Sequence, residues 1–168
     1  MGHYQNLRSI NISLRLATMD DCWDILRWRN DPVSIAFSPT GEVALEIHEK
    51  WYLNVLQKPS TRLYLIVNLE QQKVGMIRFD RRDEEAEVSI NLNPDFRQQG
   101  YGKKSLSLAF EEYLSQENVH TITARIMQHN EISKKLFESF GFHFLRIDGS
   151  DSRIFHYALD RKSFLERT

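Results

Sequence analysis

A short glycine-containing segment, Arg97-Gln98-Gln99-Gly100-Tyr101-Gly102, has residue types and spacing suited to binding an anion. Its two glycines permit a tight turn and let backbone amides approach a ligand closely. An amphipathic helix is predicted to follow, and the first N–H groups of a helix lack internal partners and lie at the positive end of its dipole. Lys103 and Lys104 add positive charge. The segment indicates either a pyrophosphate-type anion site or a turn that merely starts a helix.

A second segment follows, in which Asn130-Glu131-Ile132-Ser133 precedes Leu136-Phe137 and Gly141-Phe142. The succession Arg-x-x-Gly-x-Gly, helix, strand, Asn-x-x-Ser and Leu-Phe-x-x-x-Gly-Phe resembles the GNAT superfamily of acetyl-CoA-dependent N-acetyltransferases. This resemblance covers the chain from about Ala86 to Phe142. It implies an enzyme that moves acetyl from acetyl-CoA to a primary amine by direct attack in a ternary complex.

The resemblance also implies which residues bind the cofactor. In this superfamily the strand before the glycine loop, here Ala86–Leu92, separates from its neighbour at a bulge, expected near Leu92-Asn93, and the pantetheine arm fills the gap. Free amides of this strand would polarise the thioester carbonyl. The loop amides would hold the pyrophosphate, Asn130 would bond the pantetheine arm, and Phe137 would pack beside it. The full expected set is Leu92, Arg97, Gln98, Gln99, Gly100, Tyr101, Gly102, Lys103, Asn130 and Phe137.

Two residues are candidates for proton transfer. Many family members carry Tyr where this chain has Phe137, and that Tyr protonates the leaving thiolate. Ser133 is the nearest substitute, with water as the alternative; a hydroxyl bonded to its own helix backbone would instead be structural. On the preceding strand, Glu87 begins a polar row in a position where a fully covered strand should be apolar. Glu87 is therefore predicted either to accept the amine proton or to lie on a solvated strand face.

The acceptor should contact the two helices and the loop that precede this core. Arg29 continues an apolar helix stripe, and His48 and Trp51 lie on the next helix. After Arg29 and His48, Arg78 is a third candidate for a polar side chain that points inward. Individually, a snorkelling arginine and a satisfied core histidine explain Arg29 and His48 well. Together with the segments Trp28–Pro32 and Glu46–Trp51, they resemble GNAT members that acetylate the 4-amino group of nucleotide-linked sugars for surface glycans. In that interpretation the charged side chains contact a diphosphate.

Two other functions stay open at this point. A protein N-terminal acetyltransferase of the ribosomal-protein type would share the chemistry but would need a peptide groove rather than Arg29 or His48. A non-catalytic acyl-CoA-binding module would keep the glycine loop, which supports cofactor binding but not turnover, and Phe137 keeps this alternative open.

Hydrophobic periodicity predicts the elements that position these residues. We expect an α/β fold, in which helices cover both faces of one twisted, mixed sheet. The predicted strands are Ile10–Leu16, Arg62–Leu69, Lys73–Asp80, Ala86–Leu92, Thr121–Gln128, Phe142–Ile147 and Ile154–Leu159, and the predicted helices are Met19–Arg29, Ala44–Leu56, Gly100–Gln116 and Glu131–Phe140.

Composition bounds the remaining possibilities. The 168 residues predict one domain, 1–168. A net charge of −1 argues against nucleic-acid binding, and no apolar run is long enough for a membrane helix. The lone Cys22 suits a reducing, cytoplasmic setting, no signal peptide is recognised in the first residues, and the scattered histidines predict no metal site. The expected partner is a small-molecule amine; relatives often form dimers, so a homodimer is an expected assembly.

Overall fold

A computed structural model describes residues 10–166. The first nine residues, on which the signal-peptide prediction rests, lie outside this range. The strands are β1 (Ile12–Leu16), β2 (Thr61–Asn68), β3 (Lys73–Arg82), β4 (Glu85–Leu92), β5 (Thr121–Met127), β6 (His143–Ile147) and β7 (Ile154–Asp160). The helices are α1 (Cys22–Arg29), α2 (Pro32–Ala36), α3 (Leu45–Gln57), α4 (Tyr101–Gln116), α5 (Glu131–Glu138) and α6 (Arg161–Leu165).

The strands form one seven-stranded sheet in the order β1-β2-β3-β4-β5-β7-β6. The first four strands are an antiparallel meander. α4 then crosses over and returns the chain so that β5 runs parallel to β4, while β7 and β6 are antiparallel again. This mixed sheet with helices on both faces confirms the predicted fold.

Helices cover the two faces with separate cores. On one face, α4, α5 and α6 pack on the sheet, and the rings of Phe79 and Tyr113 stack with centroids 4.0 Å apart. On the other face, α1 and α3 pack on β2 and β3 through Trp28 and Tyr52. Because β2 lies between the two cores, nearly its whole length is buried, which explains its continuous apolar sequence.

The sheet opens between its two central parallel strands. β4 and β5 pair only at Glu85–Glu87 with Thr121–Thr123. Beyond that point β4 continues to Leu92 and β5 to Met127 without pairing to each other. We call this opening the gap. Its position agrees with the predicted separation of the strands, but the predicted bulge near Leu92-Asn93 is wrong: in the described strands, the register of β3 with β4 is continuous from Gly75–Leu92 to Arg82–Glu85.

Most elements begin or end one or two residues away from the predicted bound. The first helix begins with a 3-10 turn at Met19–Asp21, and β1 starts at Ile12. The five-residue helices α2 and α6 were not predicted. In both, an aspartate caps the first turn: Asp31 accepts hydrogen bonds from the amides of Val33 and Ser34, and Asp160 caps α6. A helix this short has too little hydrophobic periodicity to be recognised from sequence.

Candidate active site

One edge of the gap presents backbone amides of β4. The N–H of Asn93 donates to Val74 O on β3 at 2.9 Å, so odd-numbered residues of β4 direct their amides to β3. Because peptide groups alternate along a strand, the N–H groups of Ile90 and Leu92 point into the gap. Beyond the paired segment no strand is there to accept them. These donors can bind a carbonyl or amide group that enters the gap, as expected for Leu92.

The loop before α4 presents a second set of amides beside the gap. Gln98 and Gly100 have positive φ angles of 56° and 89°, which turn the chain sharply. Gly100 is the N-cap of α4 and has no side chain to bond the first turn. The N–H groups of Tyr101, Gly102 and Lys103 therefore lack intrahelical acceptors, and the first turn holds no acidic residue. This arrangement suits a phosphate group.

The loop and the gap meet at Gly102. A Cβ placed there would lie 3.4 Å from Leu136 Cδ2 and 3.7 Å from Leu92 Cδ1. The start of α4, the end of β4 and helix α5 therefore converge at one point. Leu136 was missed by sequence reasoning, which selected its neighbour Phe137. Phe137 is instead 3% exposed and packs edge-on against Phe142, with ring centroids 5.1 Å apart.

Asn130 and Ser133 lie together at the start of α5. The Asn130 carbonyl oxygen accepts a hydrogen bond from the Ser133 amide at 3.1 Å and so caps the helix. Its amide NH₂ stays available to a ligand. Ser133 is half-buried, and in residues 10–166 its hydroxyl has no hydrogen-bond partner. It is therefore not bonded back to its own helix, and a hydroxyl without a partner is available to donate.

Glu87 lies at the closed end of the gap, at the last residue of β4 that pairs with β5. With Ser89 and Asn91 it forms the polar row of β4, which is half-buried and belongs to neither core. In the described part of the chain Glu87 forms no ion pair. Ile90 lies three residues further along, about 10 Å away at about 3.3 Å per residue.

The predicted acceptor residues are only partly brought together. His48 is 3% exposed, its Nε2 donates to Cys22 O at 3.0 Å, and burial lowers its pKa. It is a satisfied core histidine and is not placed to contact an acceptor. Trp51 packs on this ring at 5.2 Å between centroids, and the Arg78 guanidinium lies 5.3 Å from the Trp51 ring. Arg78 also forms an ion pair with Asp80 at 2.6 Å.

Arg29 has an unusual environment for a cation. Its Nη2 donates to the hydroxyls of Ser38 and Thr40 at 2.5 and 2.7 Å. Its Nη1 is buried without a hydrogen-bond partner, and among the described residues no carboxylate pairs with it. Burial accordingly lowers the pKa of Arg29. With no carboxylate beside it among the described residues, this positive charge would attract an anion bound nearby.

Residues 31–43, which we call the wall segment, cross over the gap. Asn30 closes the base of the segment through two hydrogen bonds to the Val43 backbone, at 2.7 and 2.9 Å. Ser34 in α2 donates to Asn91 Oδ1 at 3.2 Å, which places α2 over the polar row of β4. On the far side, His129 after β5 donates to Ala36 O at 3.1 Å. The wall segment thus spans both strands that border the gap; the sequence places a loop here, but the contacts that hold it over the gap are seen only in the structure.

Comparisons with known proteins agree with this geometry. A family model for the acetyltransferase (GNAT) domain matches residues 11–143. The crystal structure of a spermidine N-acetyltransferase from Vibrio cholerae, in complex with CoA and spermine, matches with a TM-score of 0.81 at 15% identity over 92% of this chain and 98% of that chain. A domain from Methanocaldococcus jannaschii matches with a TM-score of 0.79 at 22% identity over 90% of this chain and 99% of that chain.

An aminoglycoside acetyltransferase in complex with coenzyme A is also similar, with a TM-score of 0.80 at 20% identity over 94% of this chain and 99% of that chain. At these identities the structures establish a shared fold. A comparison with curated proteins finds no match. Within residues 10–166, no helix has the length and apolar character needed to cross a bilayer, and no group of three metal-ligating side chains is clustered.

Proposed function

Because the chain belongs to the GNAT acetyltransferase family, we propose that it transfers acetyl from acetyl-CoA to a primary amine held beside it in a ternary complex. The family confirms the enzyme class predicted from the sequence. The observation that supports this reaction is the convergence of the gap with the glycine loop at Gly102. One ligand with a phosphate end and an amide-bearing arm would satisfy both sets of free amides.

The loop amides from Gln98 to Lys103 would hold the pyrophosphate, and those of Ile90 and Leu92 would bond the pantetheine arm and the thioester carbonyl. Acetyl-CoA supplies an activated acyl group with a thiolate as leaving group. Negative charge develops on the carbonyl oxygen during attack, and fixed N–H donors stabilise it because they need not reorient. Asn130 contributes its free NH₂ group, and Leu136 packs where the two sites meet.

Two proton transfers accompany this reaction. A protonated amine has no lone pair, so Glu87 accepts its proton, directly or through a water. The thiolate then takes a proton from Ser133 or from water. Ser133 lies one helical turn before Phe137, on a half-buried position of α5, and its hydroxyl is unpartnered within the described residues. Phe137 itself cannot donate a proton.

For the acceptor we propose an amine that also carries anionic groups, and specifically a nucleotide-linked 4-amino sugar. Arg29 supports this choice, because its buried Nη1 lacks a partner and the residues around it supply only neutral hydroxyls. Trp51, with Arg78 against its ring, offers an aromatic surface for a sugar or base. A polyamine, the ligand of the Vibrio cholerae structure, would instead be repelled by an unpaired guanidinium.

A mass-spectrometric assay of acetyl transfer tests the proposal. The acceptors are a UDP-linked 4-amino-4,6-dideoxy sugar, spermidine and a protein N-terminal peptide, each with acetyl-CoA. We expect acetylation of the sugar alone. Acetylation of only the peptide or only spermidine would keep the reaction and refute the acceptor. CoA binding without acetylation of any of the three would support the non-catalytic module.

Arg29→Gln extends the test to the residue that carries the acceptor assignment. We expect it to raise the KM of the sugar nucleotide about tenfold or more, since a charge-assisted hydrogen bond contributes about 1.5–3 kcal/mol. The matched control is Arg27→Gln on the same helix, whose side chain is 71% exposed and pairs with Asp24 at 3.1 Å. An unchanged KM in Arg29→Gln would refute the assignment.

A further inference from the structure

Arg97 connects three parts of the chain that border the candidate active site. Its Nε and Nη2 both donate to Leu92 O, at 3.2 and 3.0 Å. Its Nη1 donates to Asp31 Oδ2 at 2.5 Å, and Nη2 also donates to Ser34 Oγ at 3.0 Å. The end of β4, the glycine loop and the wall segment are therefore joined through one guanidinium.

Asp31 makes this connection part of the structure of α2. The carboxylate oxygen that pairs with Arg97 also accepts hydrogen bonds from the amides of Val33 and Ser34, at 3.0 and 3.3 Å. The hydrogen bond from Arg97 holds the pKa of Asp31 below its usual range, so the pair is ionised near neutral pH. Both side chains are mostly buried, at 21% and 18% exposure, so solvent screens the pair less than a surface ion pair.

The network also returns to β4. Ser34, which accepts from Arg97, donates to Asn91 next to Leu92. The polar contacts thus form a closed ring through Arg97, Ser34, Asn91 and Leu92. Closed rings of this kind fix the relative position of the segments they join more strongly than a single contact does.

Arg97 has little capacity left to bind a phosphate. A guanidinium has five N–H donors, and four are used within the protein. Recruiting the side chain to a pyrophosphate would break its pair with Asp31. The expectation that Arg97 binds the cofactor through its side chain is therefore not supported by where the structure places that side chain.

We propose that Arg97 is a positioning residue: anchored on Leu92 O at the end of β4, it holds the wall segment over the gap through Asp31 and Ser34. This inference rests on the proposed function, which assigns the gap to the cofactor and the wall segment to the acceptor. Arg97 is thereby expected to control the binding of the acceptor and not the affinity for the cofactor.

Three variants test this assignment. Arg97→Gln removes the guanidinium. Asp31→Asn removes the ion pair and keeps a residue that caps helices well. Lys103→Gln is the contrast, because Lys103 is exposed at the first turn of α4 and lies in the expected phosphate site. Ser34→Ala, which breaks one link of the ring, replaces Arg97→Gln if that variant does not fold.

Two measurements do not depend on knowing the acceptor. By calorimetry, the Kd of CoA should change less than about twofold in Arg97→Gln and Asp31→Asn, and rise severalfold in Lys103→Gln. By hydrogen exchange, the amides of Ile35 to Phe37 should exchange faster in the first two variants and at the wild-type rate in the third. These outcomes are expected even if the proposed acceptor is wrong. A failure of the proposed role of Arg97 can therefore be distinguished from a failure of the proposed acceptor.

With an active acceptor, the kinetic constants give a direct test. We expect Arg97→Gln and Asp31→Asn to raise the acceptor KM about tenfold at nearly constant acetyl-CoA KM. The double variant should be no worse than either single variant, because both remove the same connection. Weaker CoA binding in Arg97→Gln with normal binding in Asp31→Asn would overturn the proposal and make Arg97 a phosphate ligand. Unchanged exchange in both variants would overturn it as well.

Discussion

Gly75 controls how closely β3 approaches β4 at the gap, and replacing it by alanine is a sharp test of that geometry. Gly75 lies opposite Leu92 in the sheet. A Cβ at Gly75 would lie 2.7 Å from Asn91 O, 2.8 Å from Leu92 Cδ2 and 2.9 Å from Leu92 Cα. Only the Leu92 methyl can rotate away. The two backbone contacts require β4 itself to move.

Extra atoms forced into a packed interior cost about 1–3 kcal/mol. For a chain of 150–250 residues each 1 kcal/mol lowers Tm by about 2–4 °C, so we expect Gly75→Ala to lower Tm by about 2–12 °C. The catalytic rate should fall by more than this loss of stability explains. The displaced residue, Leu92, carries an amide that faces the gap, and a misplacement of about 1 Å at a reacting group can cost about 100-fold in rate.

Thermal unfolding and steady-state kinetics of three variants separate the causes. Gly149→Ala is the matched control, because nothing lies within 4 Å of its new methyl group and its φ is not in the left-handed region. Gly41→Ala also meets open space but has a φ of 67°, so it measures conformational strain alone, about 1–2 kcal/mol. If Gly75→Ala matched Gly149→Ala in both Tm and kcat, the inferred close approach of β3 and β4 would be wrong.

Three further predictions follow from buried or unpartnered groups. Asp21 is fully buried between Arg15 and Lys73; burial alone would raise its pKa, but their hydrogen bonds hold it well below its usual range. A carboxyl whose pKa is depressed in the folded state stabilises the fold above the unfolded pKa of about 3.9, and this stabilisation is lost as the pH falls below that value. Asp21→Asn should therefore be about 3–5 kcal/mol less stable than the wild type at pH 7 in urea titrations, and the difference should narrow below about pH 4. Equal stability of the two proteins at pH 7 would contradict this. Glu87→Gln should lower kcat/KM about 100-fold or more near neutral pH, and kcat/KM should recover as rising pH deprotonates the amine. A ratio of variant to wild-type kcat/KM that does not change with pH would exclude Glu87 as the base. Ser133→Ala should lower kcat at constant acetyl-CoA KM, and an unchanged kcat would leave water as the acid.

The sequence by itself determined most of the elements and the place of the glycine loop between β4 and α4. The segment from Arg97 to Gly102 lies between a strand and a helix as its residues predict, since glycine conformation and free helix amides are local properties. Apolar alternation and periodicity predicted every strand and the four longer helices. Their ends shifted by one or two residues in most cases, because the last turn or pair depends on caps and neighbours.

The roles of individual polar side chains were decided only by the tertiary structure. His48 has the sequence position of a ligand-binding residue, yet its partner is a carbonyl at Cys22, 26 residues earlier. Arg97 pairs with Asp31, 66 residues earlier, and the wall segment is placed by Asn91 and His129. No local pattern encodes such contacts, because a side chain takes whichever partner the fold brings within hydrogen-bond distance. Backbone donors stay where the strand or helix puts them, and for that reason the place of the free amides could be predicted from the sequence, whereas the partners of the polar side chains required the folded chain.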